Sequence, residues 1–188
     1  MSMGRGVFAN NGDADWEWLS SNVEPDNSSK VKKIRTVDLF AGCGGLSLGV
    51  KEWCRRSGFG HIVEFASEWD EGAMKIFRKN FDPVCSSCED IDSILSPSLN
   101  RPVTEVESVF LDANPNVRNP DLLIGGPPCQ GHSDLNNHTR REDSRNNLYF
   151  RMLRAAKILS PKSLIIENVA TVIHSKERVV QRTHEILE

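Results

Sequence analysis

The chain has 188 residues, of which 38% are hydrophobic and 26% charged, enough for one domain with its own core and too apolar for a disordered or fibrous chain. With 23 Lys+Arg against 26 Asp+Glu the formal net charge is −3, which excludes a general electrostatic pull toward nucleic acid or anionic membrane and leaves only local patches. Five scattered cysteines, Cys43, Cys54, Cys85, Cys88 and Cys129, are an odd number and argue against a disulfide framework. No apolar run approaches the roughly 20 residues of a bilayer span, so no membrane partner is expected. The N-terminus carries no signal-type apolar segment, which makes the cytoplasm the expected location.

Residues 1–33 read as a polar arm. Turn formers such as Asn10, Asn11, Gly12, Pro25 and Asp26 dominate it, interrupted by Trp16, Trp18 and Leu19, which suggest one short docking piece. From residue 34 the pattern changes to short apolar runs alternating with helical periods. A strand is expected over 34–40, followed by a glycine cluster at 41–45, a helix over 46–56 and a stop at Gly58 and Gly60. A second strand over 62–67 leads into a helix over 71–80, and a weaker third strand falls near Val84. The Pro, Asn and Ser content of 93–120 predicts an irregular surface excursion. A buried-type strand over 121–124 precedes Gly125, Gly126, Pro127 and Pro128. Residues 147–159 read as a helix with Leu148, Met152, Ala155 and Leu159 on one stripe, 163–166 as a strand, and 176 onward as a helix. Alternation of this kind predicts an α/β fold, a doubly wound parallel sheet with helices on both faces.

Three segments carry the chemistry. In Asp38-Leu39-Phe40-Ala41-Gly42-Cys43-Gly44-Gly45-Leu46 a strand feeds a glycine turn and a helix start, where backbone N–H groups approach a carboxylate or phosphate closely. A tight structural turn would need the same glycines. Glu68 at the next strand end suits ribose hydroxyls, Trp69 beside it offers a flat surface to an adenine, and Asp90 is a candidate acid at the strand end after that. In Gly125-Gly126-Pro127-Pro128-Cys129-Gln130 a cysteine follows a buried strand at the carboxyl edge of the sheet, where ligands bind. That setting is poor for a core residue and suits a nucleophile. In Ser163-Leu164-Ile165-Ile166-Glu167-Asn168-Val169 a carboxylate caps another buried strand at the same edge; a helix cap or a satisfied loop acid is the alternative. Cys85 and Cys88 have zinc or redox spacing but lack a second pair, so no metal is expected.

Together these segments resemble the cytosine-5 DNA methyltransferases over about residues 36–169, in the family's order and spacing. Phe40-Ala41-Gly42-Cys43-Gly44-Gly45 is similar to the family's first motif, Pro128-Cys129-Gln130 to its nucleophile motif, and Glu167-Asn168-Val169 to its glutamate motif. Asp143-Ser144-Arg145-Asn146-Asn147-Leu148-Tyr149-Phe150 resembles the segment that ends its mobile catalytic loop. His132 departs from the aromatic usual there. The resemblance implies the Rossmann-like sheet of S-adenosylmethionine-dependent methyltransferases, with Cys129 as covalent nucleophile and Glu167 holding a proton on ring nitrogen 3. It assigns S-adenosylmethionine to Phe40, Ala41, Gly42, Gly44, Gly45 and Leu46, with Glu68 on the ribose. Trp69, Asp90 and Ile91 then lie at the adenine, and Pro128 and Leu148 at the methyl donor. The substrate implied is double-stranded DNA with a flipped cytosine, with Ser133, Arg140, Arg141 and Arg145 as DNA contacts. The setting is then the nucleoid of a bacterium or the nucleus of a eukaryote.

The family's later Gln-x-Arg-x-Arg motif, its target-recognition region and its closing segment find no match here. Residues 34–188 are therefore expected to be a partial catalytic domain, incomplete at its C-terminal end: either one subunit of a split methyltransferase, with a second polypeptide supplying the remainder, or a truncated piece. Two other readings use the same residues: a non-catalytic module that binds S-adenosylmethionine or a partner chain, and an RNA cytosine-5 methyltransferase.

Overall fold

The computed structural model describes residues 32–128 and 148–168. In chain order its elements are β1 (Lys33–Leu39), α1 (Gly45–Ser57), β2 (Gly60–Ser67), α2 (Glu71–Phe81), β3 (Cys85–Ser87), α3 (Glu105–Ala113), β4 (Leu122–Gly125), α4 (Leu148–Leu159) and β5 (Ser163–Ile166). Short 3-10 turns occupy Ile91–Ser93 and Pro115–Val117. The expected arm over 1–33, apart from Lys32 and Lys33, and the expected helix from 176 lie outside the described residues.

All four strand pairings are parallel, in the order β3-β2-β1-β4-β5. Every strand therefore ends at one edge of the sheet, and the order reverses between β1 and β4, the place where doubly wound sheets bind ligands. Alternation along β1 divides its side chains. Val37 and Leu39 join Phe65 and Leu123 under Leu111 of α3 and Met152, Ala155 and Leu159 of α4. On the opposite face Val63 and Ala66 pack against Met74 and Phe77 of α2, and α1 buries Ser47 and Cys54. The stripe expected on α4 is the one that meets the sheet.

Val63 and Ala66 are three residues apart yet share a face, which strict alternation forbids. A bulge resolves this: Thr36 pairs with Val63 and Val37 with Phe65, leaving Glu64 as the extra residue. Arg35 Nε donates to Glu64 Oε1 at 2.9 Å and gives the bulged carboxylate a partner.

The irregular excursion expected over 93–120 needs correction, because its middle is the helix α3. Thr104 and Glu107 form a reciprocal capping box: Thr104 Oγ1 accepts from Glu107 N at 3.3 Å and Glu107 Oε2 accepts from Thr104 N at 2.8 Å. Glu107 is fully buried and also accepts from Ser96 N, at 2.9 Å. Arg154 of α4, 1% exposed, donates its Nε to Glu107 at 2.7 Å and its Nη1 and Nη2 to the carbonyls of Arg101 and Pro102. One buried ion pair thus ties the first half of the excursion, from Ser96 to Glu107, to α4. Burial alone would raise the Glu107 carboxyl, but Arg154 and the N–H groups of Thr104 and Ser96 outweigh it and hold it at about 2.

Candidate active site

The turn after β1 has three residues in the left-handed region: Phe40 at φ 57°, Gly42 at 53° and Gly44 at 99°. Phe40 bears real strain there, since it has a Cβ. Gly44 has no room for one, because a Cβ would meet the Phe81 ring at 2.1 Å. The opposite holds at Gly42 and Gly45, where a Cβ would enter open space. Ala41 N donates to Ser67 O at 3.0 Å and ties the turn to the end of β2. Gly44 is the N-cap of α1 and offers no side chain to its N–H groups, and the first turn carries no acid. The α1 start therefore keeps donors for an anionic ligand group. Leu46 is half-buried beside them.

Glu68 is built across this turn. Its Oε2 accepts from Gly42 N and its Oε1 from Asp70 N, both at 2.9 Å. Each oxygen keeps a second lone pair for an incoming hydroxyl. Trp69 is 79% exposed beside it. Glu68 N also donates to Ser87 O at 3.1 Å, which joins the ends of β2 and β3. Beyond β3, Asp90 Oδ1 caps its short turn by accepting from Asp92 N at 2.9 Å. Ile91 is buried in the core beneath that turn.

Behind the glycine turn lies a carboxyl group whose burial the sequence did not reveal. Asp38 is fully buried; its Oδ2 accepts from Ser47 Oγ at 2.6 Å and its Oδ1 has no partner. Burial pushes the carboxyl up, the Ser47 bond pulls it back, and the Glu68 charge pushes it further, to about 7. Between the ordinary value of 3.8 and about 7 the folded chain thus holds a proton that the unfolded chain has released. Stability from this group is full below 3.8 and falls as pH rises to 7, by about 4 kcal/mol at ~1.4 kcal/mol per pH unit. Asp38→Asn should flatten that slope in urea unfolding curves taken from pH 4 to 8. An unchanged slope would show that Asp38 is ionised throughout.

The other half of the edge comes from β4 and β5. Gly125 is required by close approach: a Cβ would lie 2.5 Å from Leu39 O and 2.6 Å from Met152 Sδ. Pro127 is buried and Pro128 exposed. Glu167 N donates to Gly125 O at 3.0 Å, and its exposed carboxylate lies against Gly126, with Oε2 3.2 Å from where a Cβ would stand. Leu148 opens α4 and is half-buried against the core. Cys129, Ser133, Arg140, Arg141 and Arg145 fall outside the described residues. Phe40–Leu46, Glu68, Trp69, Asp90, Pro128 and Glu167 are brought to one edge of five adjacent strands. Among the described residues no cluster of three His, Cys, Asp or Glu is placed to hold a metal ion, and no helix is long and apolar enough to cross a membrane.

A parallel sheet of this order, with a glycine turn and an acid at successive strand ends, is a doubly wound α/β nucleotide-binding fold, and its structural neighbours are S-adenosylmethionine-dependent methyltransferases. Residues 34–188 match the C-5 cytosine-specific DNA methylase family, and the chain belongs to that family. It is 43% identical over 162 residues to the type II methyltransferase M1.BsuMI of Bacillus subtilis, covering 86% of this chain and 37% of the relative. It is 30% identical over 164 residues to DNA (cytosine-5)-methyltransferase 1 of Mus musculus, covering 86% and 10%. A crystal structure described as a DNA modification methyltransferase encoded within an E. coli prophage superposes with a TM-score of 0.59 at 29% identity, covering 82% of this chain and 37% of that one. The S. pombe Dnmt2 methyltransferase shares the fold at a TM-score of 0.52 and 18% identity, covering 83% and 40%. The chain thus spans well under half the length of these relatives. Family membership implies S-adenosylmethionine as cofactor. The open space over Gly42 and Gly45, the uncapped α1 start and the exposed Trp69 beside Glu68 fit a ligand with a carboxylate, a ribose and an adenine.

Proposed function

We propose that this chain carries the catalytic part of a DNA cytosine-5 methyltransferase, working through a covalent adduct between Cys129 and a flipped cytosine. The observation that supports it best is the Glu68 carboxylate pinned across the glycine turn while Glu167 lies against Gly126, at the same sheet edge. S-adenosylmethionine supplies, when bound, an electrophilic methyl group for cytosine carbon 5. The backbone of Phe40 to Leu46 holds the methionine end, Glu68 the ribose, Trp69, Asp90 and Ile91 the adenine, and Pro128 and Leu148 flank the sulfonium. The Cys129 thiolate adds to carbon 6, which makes carbon 5 nucleophilic. Glu167 keeps a proton on ring nitrogen 3 and accepts from the exocyclic amine, stabilising the charge that develops as the ring is attacked. Loss of the carbon-5 proton then expels Cys129. The base must leave the stack first, since a paired cytosine exposes neither face.

Ser133, Arg140, Arg141 and Arg145 follow the nucleophile closely in sequence and serve as phosphate contacts in this reading. Among the described residues β5 pairs only with β4, which leaves one sheet edge for further strands. We assign those strands, target recognition and closure of the cofactor site to polypeptide other than residues 34–188. Specific methylation should therefore need more than these residues. Site-specific methylation by residues 34–188 alone would contradict this part.

The cofactor assignment has its own test. Glu68→Ala should weaken S-adenosylhomocysteine binding about tenfold in titration calorimetry, the loss of a charge-assisted pair of hydrogen bonds. Equal binding by the variant would remove Glu68 from the ribose.

A further inference from the structure

Arg151 of α4 is a charged side chain that neither the core nor the proposed chemistry uses. Its exposure is 5%, and among the described residues its one polar partner is Asp92, with Nε 2.6 Å from Oδ1. A guanidinium stripped of water is costly unless bonded, so this contact fixes Asp92 firmly although Asp92 itself is 56% exposed. Asp92 belongs to the turn after β3. That strand has only three residues and lies at the edge of the sheet, so it secures its own end weakly. The turn closes on itself through Asp92 N to Asp90 Oδ1 and Ser93 Oγ to Asp90 O. From below it is held by Ile91 in the core, and from the side by Arg151.

The geometry points to Arg151 as a positioning residue for the adenine end of the cofactor site, acting through Asp92 on the turn that carries Asp90 and Ile91. This rests on the cofactor reading above. Arg151 touches neither substrate nor cofactor. Its removal frees the turn that receives the adenine, at the β3 end of the sheet, while Glu167 stands at the β5 end. The effect therefore falls on cofactor affinity and spares the methyl-transfer step.

Arg151→Met, Asp92→Ala, the double variant and Arg151→Lys, made in the native methyltransferase, test this. S-adenosylhomocysteine binding and steady-state kinetics are measured below the unfolding transition of every variant. Either single substitution should raise Kd for S-adenosylhomocysteine and KM for S-adenosylmethionine about fivefold, as loss of a charge-assisted bond allows, with kcat within about twofold of wild type. The double variant should be no worse than either single one, because both remove the same bond, and Arg151→Lys should recover most of the affinity. Unchanged affinity in folded variants would overturn the inference, as would losses that multiply in the double variant or a fall confined to kcat. Failure of the wild type itself to bind S-adenosylhomocysteine would instead overturn the cofactor reading, and this inference with it.

Discussion

Replacing Cys129 by serine is expected to lower methyl transfer by roughly a thousandfold or more while leaving S-adenosylhomocysteine binding within about twofold of wild type. A serine hydroxyl ionises far above neutral pH, whereas a thiol reaches its reactive anion near it. The cofactor half of the edge, from the ends of β1, β2 and β3, is built without Cys129, which is why binding should survive. Glu167→Gln should cost about 10²–10⁴-fold in kcat, because the amide can still hydrogen-bond the base but cannot pass a proton to ring nitrogen 3. Methyl transfer by Cys129→Ser at more than about a tenth of the wild-type rate would remove the cysteine from the mechanism.

The second large effect concerns the fold. Arg154→Met should destabilise the chain by about 3–5 kcal/mol, because it leaves the fully buried Glu107 carboxylate without its counter-charge. The carbonyls of Arg101 and Pro102 lose their donor in the same step. Pairing that variant with Glu107→Leu should recover part of the loss, since no unpaired buried charge then remains. The acid limb has a definite sign. Glu107 titrates at about 2 in the folded chain against an ordinary 4.5, so between those values the unfolded chain holds the extra proton. Stability from the pair is complete above 4.5 and falls as pH drops toward 2. Urea unfolding at pH 7 and at pH 3 checks both statements. A loss below about 1 kcal/mol at pH 7 for Arg154→Met would mean that the pair is solvated.

Much of this fold was legible because its signals are local. The apolar run Leu164 to Ile166 after Ser163 marked β5 without error, and the glycines at 58 and 60 marked the end of α1, where Gly58 takes the left-handed cap at φ 78°. The spacing of Leu148, Met152, Ala155 and Leu159 gave α4 its buried face. The helix α3 was missed although its Thr104–Glu107 box was readable, because the Pro, Asn and Ser residues around it outweighed a nine-residue period. What remained hidden is tertiary. The bulge at Glu64 depends on the register of β1 against β2, and the burial of Asp38 depends on Ser47 nine residues later. The bond from Arg151 to Asp92 spans 59 residues, and no window of the sequence relates the two. The site was legible to the extent that strand ends can be read: glycine turn, Glu68 and Glu167 each follow a short apolar run. That Glu68 is already bonded to Gly42 and Asp70 was not.

The most direct measurement of the central claim is intact mass spectrometry of the native enzyme after incubation with S-adenosylmethionine and a duplex containing 5-fluorocytosine at the target. Fluorine cannot leave carbon 5 as a proton does, so the reaction should stop with the cysteine still bonded to carbon 6. The expected result is one covalent complex, heavier than the enzyme by the DNA strand and one methyl group, whose peptide map places the link on Cys129 and which Cys129→Ser abolishes. An adduct that persists in Cys129→Ser, or methylated DNA without any trapped complex, would contradict it.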